Sequence, residues 1–134
     1  MKRTIVATAL LAACTAPATP GAPGVPTLAG TEWGPADAPA IFVRFGADGQ
    51  MSGSGGCNSL GASYVQDSGV LTIGPVRTTR KACDVPTMDR EQAFLDALDA
   101  TERVGVEDDG RLGLLVLKDA NGAPLARLQR RDWD

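Results

Sequence analysis

Gly53-Ser54-Gly55-Gly56-Cys57-Asn58-Ser59-Leu60-Gly61-Ala62-Ser63-Tyr64 is the stretch on which the fold turns. Glycines this dense beside a cysteine and an asparagine raise the idea of a phosphate cradle. A Walker loop, however, ends in Gly-Lys-Ser/Thr, and a dinucleotide fingerprint opens a helix. Here a strand pattern follows, running through Tyr64 and Val65, so the glycines read as a bend or bulge in a strongly curved sheet. The stretch therefore predicts an antiparallel β architecture and not a nucleotide site.

Short strand patterns separated by turn signals lie on both sides of it. Upstream, Ala40 to Phe45 is β-rich and Ala47-Asp48-Gly49 turns it into Gln50 to Ser54. Downstream come Gly61 to Gln66 and Val70 to Ile73, separated by Asp67-Ser68-Gly69. Arg103 to Glu107, Arg111 to Lys118 and Pro124 to Arg130 predict a C-terminal meander, turned by Asp108-Asp109-Gly110 and Ala120-Asn121-Gly122. In its central strand Leu112, Leu114 and Val116 alternate with Leu115 and Leu117, which predicts cover on both faces. Only Pro86 to Ala100 breaks the pattern. Met88, Phe94, Leu95 and Leu98, with Ala97, share one helical face; Asp84 is the candidate cap and Pro86 suits the first turn. The expected class is α+β: a compact antiparallel barrel-like sheet of seven to eight strands with one helix at about residues 85–101.

With 134 residues the chain holds one domain. The formal charge of −3 argues against nucleic-acid binding, which needs a basic stripe. The absence of histidine removes Ser-His-Asp triads, Cys-His dyads and imidazole metal ligands. Neither Asp108-Asp109-Gly110 nor Asp119-Ala120-Asn121-Gly122 completes a calcium loop. No spacing supports a dyad of Ser52, Ser54 or Ser59 with Lys81. No catalytic residue, metal or cofactor is therefore expected.

The N-terminus combines Met1-Lys2-Arg3, an apolar run from Thr4 to Leu11, and small residues before a cysteine, the form of a secretory signal. Leu11-Ala12-Ala13-Cys14 resembles the bacterial lipobox. The expectation is a signal peptide at residues 1–13 and a lipidated Cys14; the alternative is an ordinary signal peptide with Cys14 as a spare thiol. Two or more acyl chains hold a protein stably at a membrane. Thr15, where an aspartate would signal inner-membrane retention in some bacteria, favours a periplasm-facing position on the outer membrane. Cleavage removes Lys2 and Arg3 and leaves 11 basic against 16 acidic side chains. Attachment would then rest on acyl chains and not on a basic face. Residues 14–27 form a Pro/Ala/Gly-rich tether, whose extended reach from Thr15 to Thr27 is about 40 Å. The domain occupies residues 28–131, and residues 132–134 form a tail in which Trp133 is either loose or a docking anchor.

Cys57 and Cys83 are the remaining cysteines. In an oxidising periplasm such a pair commonly joins, and a loop of this size gives a stabilisation of about 3–4 kcal/mol. Arg80 and Lys81 near Cys83 leave a reactive thiol as the alternative. Arg77, Arg80 and Lys81 form a basic cluster in the mature chain, a candidate partner-binding patch or else a solvated loop. Asp96, Asp99, Glu102 and the Glu107-Asp108-Asp109 turn read as solvent-facing charge. Trp33, Phe42, Phe45, Tyr64 and Phe94 read as core.

Several of these segments resemble the META/HslJ domain family. They are Leu28-Ala29-Gly30-Thr31-Glu32-Trp33, Phe45 before Asp48-Gly49, Ser52 to Asn58 with Gly61-Ala62-Ser63-Tyr64, Leu71-Thr72-Ile73-Gly74-Pro75, Thr78-Thr79-Arg80-Lys81-Ala82-Cys83, Met88, and Glu91 to Leu98. Leu114 to Lys118 and Asn121-Gly122 complete the likeness. Within it Trp33, Gly53, Gly55, Gly56, Asn58, Tyr64, Thr79 and Arg80 match the family motif as structural residues. The resemblance implies a compact antiparallel barrel-like sheet with one helix. It also implies an envelope lipoprotein, as many members look to be, some tied to heat shock or antibiotic resistance, with no established catalytic residues to carry over. Gly34-Pro35 departs from the pattern where members usually continue a strand; this shortens strand one and puts its pairing in doubt. The expected function is a non-catalytic outer-membrane lipoprotein acting in envelope maintenance or stress tolerance by binding an envelope component, with an envelope protein as the candidate partner. The alternatives are a small-molecule or lipid-binding module using the barrel interior, and an inhibitor or pilot-type chaperone offering a sheet edge.

Overall fold

The computed structural model describes residues 24–107 and 113–131. The signal peptide, Cys14, the tether before Gly24, the Asp108–Leu112 turn region and the tail with Trp133 lie outside the described residues. Nine strands and one helix follow in the order β1 (Thr31–Gly34), β2 (Ile41–Phe45), β3 (Gln50–Gly55), β4 (Ser59–Asp67), β5 (Val70–Ile73), β6 (Arg77–Thr78), α1 (Val85–Ala100), β7 (Arg103–Glu107), β8 (Leu114–Lys118) and β9 (Pro124–Arg131).

Every pairing in the sheet is antiparallel. The order β3-β2-β1-β9-β8-β7-β5-β4 closes on itself because β4 also pairs with β3, which makes an eight-stranded barrel. The α+β class and barrel-like sheet expected from the sequence are therefore present. The additional strand, β6, has two residues and pairs only with β4. It continues β5 past a break at Gly74-Pro75-Val76, since Gly74 N–H still donates to Ser63 O at 2.8 Å. A proline inside a strand pattern explains why this short piece escapes a sequence reading.

Period-two alternation puts Ile41, Val43 and Phe45 of β2, Leu60, Ala62 and Tyr64 of β4, and Leu115 and Leu117 of β8 into one buried cluster. Phe45 and Tyr64 meet edge-on, ring centres 5.0 Å apart. The Tyr64 hydroxyl donates to Gly46 O. Burial, and then the Asp48 charge, push that hydroxyl's pKa up. The two-sided cover expected for the β8 strand is observed: Val116, on the opposite face from Leu115 and Leu117, is also fully buried.

The helix spans Val85–Ala100 with Asp84 as N-cap and Pro86 in its first turn, as its sequence signals predicted. Asp84 accepts from Thr87 N–H and, at 2.7 Å, from the Thr87 hydroxyl. Phe94 and Leu98 are buried in the cluster, so the helix plugs the barrel while its other faces stay in solvent.

Strand one is short and stops at Gly34, just before Pro35, but it is paired on both sides. Thr31, Glu32 and Trp33 pair with β2, and Glu32, Trp33 and Gly34 pair with β9. A Cβ at Gly34 would overlap the Arg131 guanidinium and the Ile41 carbonyl oxygen. Glycine there lets Arg131 cross the strand and donate to the carbonyls of Pro39 at 2.7 Å, and of Pro35 and Ala38 at 3.0 Å each. The doubt raised by the sequence is corrected: the departure from the family pattern is the seat of a loop staple.

Candidate functional site

The glycine-rich stretch forms the end of β3 and the tight connection into β4. Gly56 has a φ of 112°, a conformation that a side chain would strain. This geometry points the backbone N–H groups of Cys57 and Asn58 toward α1. There Glu91, only 3% exposed, receives Asn58 N–H at 2.6 Å and Cys57 N–H at 3.3 Å on one carboxylate oxygen. Its other oxygen accepts from the Asn58 side-chain amide at 2.8 Å. An unpaired buried carboxylate would be costly, and here backbone and amide dipoles take the place of water. Gly55 makes room: a Cβ at that position would lie 2.5 Å from Glu91 Cγ.

Asn58 passes the connection onward. Its Oδ1 accepts from Lys81 N–H at 2.6 Å and from the Thr79 hydroxyl at 3.0 Å. Its amide also donates to Lys81 O at 3.2 Å. The Thr79 oxygen in turn accepts from Ser59 N–H at 3.1 Å. Cys57 and Cys83 are joined by a disulfide, so the same two segments are also held covalently. One network thus ties the β3–β4 connection, residues 79–83 and α1 together.

The motif residues have distinct places. Asn58, Thr79 and Gly55 build this clamp, and Gly56 sets its turn. Gly53 allows close approach of β3 to the Phe42 carbonyl. Trp33 is buried, its Nε1 donating to the Thr31 hydroxyl at 2.7 Å. Tyr64 lies in the core. Arg80 is exposed and takes no part in the clamp.

The three basic candidates separate. Arg80 and Lys81 border a hollow of about 310 Å³ floored by Asn58, Met88, Glu91 and Leu95. Arg77 instead lies over Gly61 on the outer wall of β4, 3.7 Å from where a Cβ there would sit. Another groove, of about 550 Å³, opens at the barrel rim beside Arg44, Arg130 and Arg131. Arg44 pairs with Glu32 at 2.8 Å across β1 and β2. Among the described residues no group of three or more Cys, Asp or Glu gathers as a metal site, and no helix is long and apolar enough to cross a membrane.

Sequence reading missed Glu91 as a functional residue. The signal was an acid on the apolar stripe, three positions after Met88 and three before Phe94, a place where a charge needs a partner.

The segments that the clamp joins fall within a match to the META domain model over residues 25–132. The chain belongs to the META domain family. This META domain is similar to a solved structure described as the NMR structure of the protein from Burkholderia xenovorans, at 28% identity with a TM-score of 0.63. The likeness covers 79% of this chain and 85% of that one. No curated protein matches the chain.

Proposed function

We propose that this META domain protein is a non-catalytic lipoprotein, anchored through Cys14 to the outer membrane and facing the periplasm, that maintains the envelope by binding another envelope component on its outer surface. The observation that carries this reading is the filled barrel interior: Leu28, Val43, Phe45, Met51, Leu71, Leu98, Leu115, Leu117 and Leu128 are each buried to within about 1% exposure. A barrel interior filled by close-packed side chains leaves no room for a ligand there, and so favours binding at the surface. This weighs against the alternative of a ligand held inside the barrel. The Glu91 carboxylate is spent on backbone and amide donors, which supports a structural role for the motif over a chemical one. Leu11-Ala12-Ala13-Cys14 supports the anchor. The exposed Arg80 and Lys81, and Arg77 on another wall, supply basic groups on that surface.

The test compares wild type with Cys14→Ser in intact cells. Labelled palmitate should enter the wild type alone, and the wild type should sediment with outer membrane while the variant stays in the periplasmic fraction. In-cell crosslinking should enrich an envelope component over the variant. Unlabelled wild type, or the same crosslinked species at the same yield in both, overturns the reading.

A further inference from the structure

A groove runs between the β5–β6 edge and α1. Three hollows of about 310, 260 and 380 Å³ follow one another along it; the first two share Thr78, Gln92 and Leu95, and the last two share Asp99. The helix packs on β3, β8 and β9, and it forms the wall of the groove opposite β6. β6 ends the strand order, so its second edge faces this groove. The hydrogen-bond alternation fixes which groups it presents. Thr79 N–H donates to Ser59 O and Gly74 N–H to Ser63 O, both toward β4. Thr78 and Ile73 therefore direct their N–H and C=O groups away from β4. On this edge Leu71 N–H already donates to Glu102 O, between the end of α1 and the start of β7, and beyond it no strand among the described residues pairs with the edge. Val76 and Leu95, both half-buried against the core, give the groove an apolar floor. Its charge changes along its length: Arg80 and Lys81 line one end, Asp96 the middle, and Asp99 the middle and the far end, where Asp99 and Glu102 together outweigh the one cation, Arg103.

We propose that this groove docks an extended segment of a protein partner, added as an antiparallel strand on the Thr78 edge. The occupant's N-terminal half is acidic and lies beside Arg80 and Lys81; its C-terminal half is basic and lies beside Asp96 and Asp99. Antiparallel addition sets that order, because β5 and β6 run from the acidic end of the groove to the basic one. Six extended residues span about 20 Å, close to the roughly 24 Å of the sixteen-residue helix wall. Main-chain bonds to the edge supply affinity, and the charged ends supply direction. This deepens the reading of a surface-binding protein and rests on it. The test below uses no membrane and no cell, so its failure leaves the anchoring result intact.

The probe is the peptide Asp-Glu-Val-Thr-Val-Thr-Lys-Lys, compared with Lys-Lys-Val-Thr-Val-Thr-Glu-Asp, against the full chain carrying Cys14→Ser. The first should shift the amide resonances of Thr78 and Ile73 and slow their hydrogen exchange, and should bind at least tenfold more tightly than the second. Thr78→Pro removes the outward N–H while sparing the bonds to β4, and should lower affinity at least tenfold. Thr78→Ala keeps that N–H and should stay within threefold. Equal binding of the two peptides overturns the proposal, as do unperturbed Thr78 and Ile73 amides at millimolar peptide. Full binding by a folded Thr78→Pro variant does the same. A concentration-dependent dimer in sedimentation that Thr78→Pro abolishes makes the occupant a second copy and overturns it too. If Thr78→Pro fails to fold, the exchange protection and the peptide-order ratio decide.

Discussion

Glu91 at the helix and Arg131 at the end of β9 do the same job with opposite charge. Each fastens a loop by bonding backbone dipoles: Glu91 takes N–H groups of Cys57 and Asn58, and Arg131 gives its own to the carbonyls of Pro35, Ala38 and Pro39. Each also passes over a glycine whose Cβ would overlap it, Gly55 and Gly34 respectively. They differ in burial. Glu91 is sealed at 3% exposure, whereas Arg131 is half-buried. A sealed charge leaves its partners without water when it is removed, and a half-open one lets water replace it. Burial, more than the number of bonds, should set what each staple contributes.

The largest effect is therefore expected at the helix. Glu91→Ala strands the buried Asn58 N–H, the part-buried Cys57 N–H and one of the two N–H groups of the Asn58 amide, and should destabilise the domain by about 3 kcal/mol in urea unfolding. Gly55→Ala should cost about 1–3 kcal/mol by overpacking. Its three nearest contacts are all Glu91 side-chain atoms. The double variant should then cost little more than Glu91→Ala alone. Costs that add to within about 0.5 kcal/mol would mean that Gly55 and Glu91 are not coupled, and would break the comparison.

At the other staple Arg131→Ala should cost about 1–2 kcal/mol, because water can reach the freed carbonyls. Gly34→Ala should behave unlike Gly55→Ala. Its Cβ would also meet the Ile41 carbonyl oxygen, which belongs to the backbone and stays when Arg131 is truncated. The penalty at Gly34 should survive in the Arg131→Ala background. If it vanishes, the guanidinium alone explains that glycine and the two staples are alike.

How much of this was legible follows from range. The barrel class, the helix, its Asp84 cap and the turn at Asp48-Gly49 are written in local periodicity and local capping, which a single sequence displays. The clamp is not local. Glu91 meets Asn58 across 33 positions, and only an acid on an apolar stripe hinted that a partner was needed. Gly55 was read as a bend, which is its backbone role; the space it leaves for a carboxylate from another element has no signature in its neighbours. Gly34-Pro35 was read as an interruption because the compensating residue, Arg131, lies 97 positions away. The short β6 was hidden by Pro75, and with it the free edge at Thr78. Arg77, Arg80 and Lys81 read as one cluster along the chain, but strand alternation sends Arg77 to a different wall.

A fully exposed member of the same series should show the smallest effect. Asp84 bonds Thr87 N–H and the Thr87 hydroxyl, and these two bonds hold its carboxyl below the ordinary value of 3.8. A carboxyl whose pKa is lowered in the folded state stabilises that state above the unfolded value, and the contribution is lost as pH falls through the folded value. Above pH 5 the Asp84 contribution should be complete; it should decline once pH drops below about 3.8. Asp84→Asn keeps a capping oxygen but does not titrate in this range. The difference in Tm between wild type and Asp84→Asn should therefore be constant from pH 7 to 5 and should move toward the variant between pH 3.8 and 2.5. Asp37 and Glu107, lowered by Arg90 and Arg127, titrate in both proteins and cancel in that difference. A difference that stays flat to pH 2.5 would show that the cap works as a polar acceptor alone, and that charge on backbone dipoles matters in this domain only where water is shut out.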